Sequence, residues 1–268
     1  MDARVCAIGI ANGKEIDMSN TSLSTAVHPI GHERAGSILV THRLLALWHT
    51  MIGKKVVMAL TGTILILFVI AHMLGNLKIF SGPDQINAYS RFLREVGSPE
   101  LAYGELLWVV RIVLFICVAL HITAAVQLSR MSLAARPVGY NVKHNIKTTF
   151  AASMMRWGGA LLVAFIIFHL VHLTAGAVGF REGQFRHLAV YQNVVAAFMV
   201  WPIALFYVVA MGALCLHLDH GIWSMLQTLG WNTARNERML KITSRVIAIV
   251  LFLGFSSVPV SVLAGWLR

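Results

Sequence analysis

Residues 54–77 read KKVVMALTGTILILFVIAHMLGNL, two lysines and then an almost unbroken apolar run with one imidazole, His72, set deep inside it. A helix needs about 20 apolar residues to cross a hydrocarbon core of ~30 Å. Four further stretches fit that length, at roughly 106–130, 154–179, 194–220 and 243–266. Of the 268 residues, 57% are hydrophobic and 12% charged, with a mean hydropathy of +0.72, too few charges to clothe a soluble core of that size. The sequence therefore predicts an all-α integral membrane bundle of five transmembrane helices, with residues 41–268 forming one domain.

Residues 1–40 are of another kind, with Gly, Ser, Asn and Asp scattered among short apolar pieces and no helical period. They read as a disordered or partner-contacting segment. The apolar piece from Cys6 to Ile10 is shorter than the roughly 7–15 residues of a signal-peptide core. Between this segment and the first span, Leu44, Leu45, Leu47, Trp48, Met51 and Ile52, flanked by Arg43 and Lys54, suggest a short helix lying in the membrane interface.

Lysine and arginine near the helix ends set the orientation. Thirteen fall on one side: Arg34, Arg43, Lys54, Lys55, Arg130, Arg136, Lys143, Lys147, Arg156, Arg235, Arg238, Lys241 and Arg245. Six fall on the other, Lys78, Arg91, Arg94, Arg181, Arg186 and Arg268, accompanied by Asp84, Glu95, Glu100 and Glu105. The expected topology has the N-terminus inside and the C-terminus outside, in a bacterial cytoplasmic membrane. The net charge of +11 sits in loops that topology makes basic, with no basic-aromatic groove, so anionic lipid or a soluble partner accounts for it and nucleic acid does not. Cys6, Cys117 and Cys215 lack CxxC spacing, which leaves no iron–sulfur cluster or zinc site to build from them.

His72, His121, His169 and His217 each lie inside one of the first four spans. An ionisable group there is costly, usually faces the bundle interior, and marks a pathway or a cofactor. At ~1.5 Å per residue, His72 lies about 8 Å and His169 about 15 Å from the outer helix ends, whereas His121 lies about 22 Å and His217 about 34 Å deep. The depths pair His72 with His169 toward the outside and His121 with His217 toward the inside. Haem iron held by one imidazole from each of two facing helices fits such pairs. Two haems at two levels are expected, with the four histidines as iron ligands. The bland reading of any single membrane histidine is a polar link between helices; zinc or copper would want carboxylate or thiolate companions at the same depths. His172 and His220, each three residues after a proposed ligand, share much of the same helix face, and depth does not choose between them.

These residues resemble the di-haem cytochrome b membrane subunit of menaquinone-linked succinate dehydrogenases and fumarate reductases, over about residues 54–266. Lys55 followed by His72-Met-Leu-Gly-Asn76 is similar to the family's basic residue and H-x3-N; His121 stands alone in the inner half of helix two. Arg156 with Gly158 and Gly159, and His169 thirteen residues after the arginine, look like the family's helix three, favouring His169 over His172. His217-Leu-Asp-His-Gly221-Ile-Trp223 is similar to its H-x3-G-x-W, favouring His217 over His220. The resemblance implies a membrane anchor that passes electrons from a soluble iron–sulfur subunit, docked with a flavoprotein subunit on the cytoplasmic face, through two b haems to menaquinone. Succinate would be oxidised on the flavoprotein, since this chain has no flavin fingerprint. The chain departs from the pattern at Cys215, where some fumarate reductases carry a glutamate linked to transmembrane proton transfer, so the resemblance does not extend to that path.

A second haem toward the outside is useful when an acceptor waits there, and Tyr89, Tyr103, Glu105 and Trp108 offer groups that can hydrogen-bond or protonate a quinone; as plain surface or aromatic-belt residues they would equally suit an interface. Arg91, Arg94, Arg156 and Arg245 are candidates to pair with haem propionates, with topology signals as the competing reading. Met154, Met155 and Met211 read as gap-fillers, Asp219 as solvated at the inner surface, and Pro202 as a kink near the outer end of helix four. Two rival functions are the cytochrome b subunit of a quinone-linked formate dehydrogenase or hydrogenase, and a histidine-relay transporter. The first calls for a different distribution of ligands, the second for broken helices and midplane carboxylates.

Overall fold

In the computed structural model, residues 48–135 and 150–268 are described, and they contain helices and no strand. The N-terminal segment 1–40, Leu44, Leu45 and Leu47 of the expected interfacial helix, and the loop cations Arg136, Lys143 and Lys147 lie outside the described residues. Five helices are long and apolar enough to span a bilayer, with mean hydropathies of 1.8 to 2.5 over their most apolar windows. The chain is a multi-pass membrane protein.

The first span is α1, Met51–Leu77, which opens where Thr50 Oγ1 accepts the Gly53 N–H at 2.9 Å, a side-chain cap on otherwise orphaned donors. It runs out through a 3₁₀ turn, Lys78–Ser81, into α2, Pro83–Glu95, which starts with proline in its first turn and Asp84 near its positive end. The second span, α3, is Glu105–Ala134; Glu105 reaches back to accept the Ala102 N–H at 2.9 Å. The third, α4, is Phe150–His169 and continues as a π-helical turn, Leu170–Thr174. Next come α5, Val190–Phe198, then α6, Trp201–Thr228, and α7, Glu237–Leu263.

Several boundaries differ from those read in the sequence, among them the inner end of the fourth span, which runs on to Thr228 instead of 220, and three differ for a visible local reason. The third span stops at Thr174 instead of 179, because the π turn leads into a loop with glycines at positive φ, Gly176 and Gly179. Pro202 does not kink a helix begun at 194; it sits in the first turn of α6, after Val200 has left helical geometry, so α5 and α6 are separate. The fifth helix starts at Glu237, earlier than 243, because Asn236 ties the preceding turn by accepting from Thr233 N at 2.7 Å and donating to Trp231 O at 2.8 Å.

The closest packed pairs are α6 with α7, α1 with α3, and α4 with α6, while α1 also meets α6 and α7. Apolar residues buried between them, among them Ala204, Ala210, Met211, Ala248 and Leu251, form the core. Large apolar side chains on α1, α3 and α7, including Leu67, Phe115 and Leu253, are exposed, as the face of a span toward lipid requires. At the end marked by Leu77 and Thr174 the bundle is capped by α2 and α5. Asn87 joins them, accepting the Tyr191 N–H at 3.1 Å and donating to Gln192 Oε1 at 3.4 Å. The capping helix α2 carries no span-length apolar run, which is why a search for spans passes over it.

Candidate functional site

Helix register brings the four histidines together in two couples. His72 lies five residues before Leu77, and His169 five before Thr174; His121 lies sixteen residues after Glu105, and His217 sixteen after Trp201. With these boundaries the paired depths match. The rings of His72 and His169 have centres 5.9 Å apart at 79°, and those of His121 and His217 have centres 6.3 Å apart at 57°. Eleven residues of α1 separate His72 from Thr61, which touches His121, so the two levels are about 16 Å apart along the helix.

Each couple spans helices that are not packed backbone to backbone. Among the described residues α1 and α3 are close neighbours, as are α4 and α6, but the imidazoles reach across from α1 to α4 and from α3 to α6. An imidazole nitrogen binds a metal at about 2 Å, and the ring centre lies about 1 Å behind it, so two imidazoles on opposite sides of one metal have centres about 6 Å apart. Both separations agree with that distance. No group of three or more His, Cys, Asp or Glu among the described residues could hold an ion. The donor sets are pairs of imidazoles, too few for a bare ion, and would suit a prosthetic group that carries its own metal.

The neighbours of two of the rings, those of His121 and His169, sit against Nδ1 and leave Nε2 uncontacted by them. Thr61 Oγ1 donates to the Val57 carbonyl at 2.7 Å, so toward His121 Nδ1, 3.3 Å away, it can only accept. His121 therefore carries its proton on Nδ1 and leaves Nε2 bare for a metal. Gly62 lies beside the ring, where a Cβ would stand 3.4 Å from His121 Cε1, at van der Waals contact. Gly159 lies beside His217 in the same way, with a Cβ position 3.9 Å from its Cε1. A cavity of about 180 Å³, lined by Trp157, Gly158, Leu161, Ala213 and others, adjoins His217, whose Nδ1 is buried without a partner among the described residues.

At the other level, Phe68 stacks on His72 with centres 5.3 Å apart and Phe165 on His169 at 5.8 Å, while Phe255 closes in from α7 at 5.8 Å. Asn76 Nδ2 lies 3.4 Å from His72 Nε2, a long contact. His169 Nδ1 lies 3.4 Å from the hydroxyl of Tyr207, a residue that the sequence reading did not single out. Its sequence signal is a phenol inside an apolar span, which needs a hydrogen-bond partner when buried.

Of the alternatives that depth left open, the structure puts His169 and not His172 against His72, and His217 and not His220 against His121. His172 is wholly buried beside Phe168, Phe180 and Tyr207, and His220 packs near Trp223. The four quinone candidates are dispersed. Tyr89 lies against Gly75, one turn beyond His72, with Lys78 over its ring at 5.4 Å. Glu105 caps α3, Trp108 carries Arg111 on its face at 5.0 Å, and Tyr103 is exposed. No ring contact joins Tyr89 to Tyr103 or Trp108 among the described residues. Arg94 donates to the Ser90 carbonyl at 2.6 Å, and Arg245 lies 3.5 Å from Asp219.

Compared with protein-family models, curated proteins and solved structures, the chain finds no match. The functional reading rests on its own residues.

Proposed function

We propose that the chain is the membrane anchor and electron-transfer subunit of a succinate:menaquinone oxidoreductase, holding one haem b between His72 and His169 and another between His121 and His217. The observation that carries this reading is the meeting of four imidazoles, one from each of four spans, as two couples at two levels with ring centres about 6 Å apart, which would let each couple hold one haem iron. The haems, when bound, supply a one-electron path between the levels. The chain's own residues do the rest. His121 and His169 offer Nε2 while Thr61 and Tyr207 hold the opposite nitrogens, and Phe68, Phe165 and Phe255 exclude water from the capped-end couple.

In this reading the end bearing Arg130, Arg156, Arg235, Arg238, Lys241 and Arg245 faces the cytoplasm and receives the iron–sulfur and flavoprotein subunits. The capped end faces outward, and menaquinone binds at that end, beside Tyr103, Glu105 and Trp108 at the start of α3 or beside Tyr89 near His72. The two levels are separated by about half of a ~30 Å core, so a membrane potential assists outward electron movement by about 1.2 kcal/mol per 100 mV. That direction helps a weak reductant such as succinate.

The test is purification of the full chain from haem-replete membranes with its associated subunits. A pyridine haemochrome assay giving two haems b per chain, and a co-purifying flavoprotein with succinate-dependent menaquinone reduction, are expected. One haem or none overturns the cofactor assignment, and a formate- or hydrogen-oxidising companion overturns the partner.

A further inference from the structure

Tyr207 stands between two histidines. Its hydroxyl lies 2.9 Å from His172 Nδ1 and 3.4 Å from His169 Nδ1, and it has one proton to give. The widened turn at Leu170–Thr174 gives these two histidines different surroundings. His169 meets His72, while His172, fully buried, sits in a box of Phe168 at 5.2 Å, Phe180 at 5.1 Å and Tyr207 at 5.7 Å between ring centres. π-helical turns of this kind occur often at functional sites.

The two possible proton arrangements have opposite consequences. If the phenol donates to His172, its oxygen accepts from His169 Nδ1–H, and His169 Nε2 is a bare lone pair. If instead His172 Nδ1–H donates to the phenol and the phenol donates to His169, then His169 Nε2 carries the proton and cannot bind a metal. Both contacts suit either direction, but only the first arrangement leaves His169 Nε2 free for the proposed metal, so that site requires the phenol proton on the His172 side, where His172 Nε2–H is then buried without a partner among the described residues. We infer that Tyr207 and His172 form a tautomer lock on His169, positioning its Nε2 toward His72 and strengthening it as an electron donor. Gly179 holds the lock from the far side. Its φ is +78°, and a Cβ there would fall 2.7 Å from both His172 Cδ2 and Nε2, so loop backbone lies directly against the ring.

The inference rests on the proposed haem between His72 and His169, and its effect is on that haem alone. A ligand imidazole whose Nδ1–H is taken by an acceptor is more basic and favours the oxidised metal; losing the acceptor favours the reduced one. Tyr207 is a positioning residue in this account, not a catalytic one.

The experiment compares Tyr207→Phe, His172→Phe, His172→Gln and Phe168→Leu in the full chain, by haem content, redox titration and ¹⁵N NMR of labelled histidine in haem-free protein. Tyr207→Phe is expected to keep two haems and shift the oxidised-to-reduced ratio of one of them about tenfold toward reduced, 59 mV for a one-electron couple. His172→Phe should shift the same haem in the same direction by less, and His172→Gln, which restores an acceptor for the phenol, should return toward wild type. Phe168→Leu removes a ring from the box but no hydrogen bond, and should leave the ratio unchanged. An unchanged ratio in Tyr207→Phe, or an equal shift in Phe168→Leu, overturns the lock. Absence of haem in the wild type would defeat the proposed function instead, and the NMR then decides the lock by itself: His169 protonated on Nδ1 and His172 on Nε2 are expected, and the reverse pair refutes it.

Discussion

Gly179→Ala and Gly183→Ala make a matched pair that isolates the contact between the loop and His172. Both glycines have positive φ, +78° and +73°, so each alanine pays about the same left-handed backbone cost, ~1–2 kcal/mol. The surroundings differ. A Cβ at 179 would stand 2.7 Å from two atoms of the buried His172 ring and 3.2 Å from Ile203 Cδ1, whereas a Cβ at 183 meets nothing within 4 Å. His172 is fully buried, with Phe168, Phe180 and Tyr207 around its ring. Overpacking of that sort costs about 1–3 kcal/mol. Gly179→Ala should therefore lower stability by about 2–5 kcal/mol and Gly183→Ala by ~1–2, the difference belonging to the ring contact. Equilibrium unfolding of the two variants in the same detergent measures that difference. Equal destabilisation would show that the loop backbone does not press on His172, and the argument for a sealed box would fall.

Other consequences follow from the same geometry. Thr61→Val, which keeps shape but removes the acceptor of His121 Nδ1–H, should weaken haem binding about 10–100-fold at the deeper couple alone, read by haem titration of the apo-protein. Asp219→Asn should change stability by less than about 1 kcal/mol, because its partner Arg245 is largely exposed and 3.5 Å away; a larger loss in chemical unfolding would mean the pair is shielded from solvent. Tyr103→Phe and Glu105→Gln should lower succinate:menaquinone turnover with both haems retained, since Gln still supplies an oxygen for the Ala102 N–H. Unchanged turnover and quinone affinity in both, with a loss in Trp223 variants, would move the quinone to the opposite end.

Much of this arrangement is readable in the sequence because a bilayer leaves few choices. Continuous apolar runs dictate spans, and residue counts along them dictate depth, so the juxtaposition of His72 with His169 and of His121 with His217 follows from counting once helix ends are right. The ends are where counting drifts: His169 seemed deeper than His72 only because the π turn and the loop at Gly176 were read as more helix. Local hydrogen bonding and glycine conformation decide such ends, and hydropathy does not register them. One unread signal was present, since phenylalanine stands four residues before His72, His169 and His172, the spacing that stacks rings on one helix face. Tyr207 and the cap of α2 and α5 stayed hidden because their contacts join segments distant in sequence, such as Asn87 with Tyr191.

The central claim, two haems held by these two couples, is tested most directly by haem spectra of the four single variants His72→Ala, His121→Ala, His169→Ala and His217→Ala. The wild type should bind two haems b per chain, His72→Ala and His169→Ala should lose the same spectral component, and His121→Ala and His217→Ala should lose the other. A wild type with fewer than two haems, or loss of one shared component from His72→Ala and His121→Ala, would contradict it.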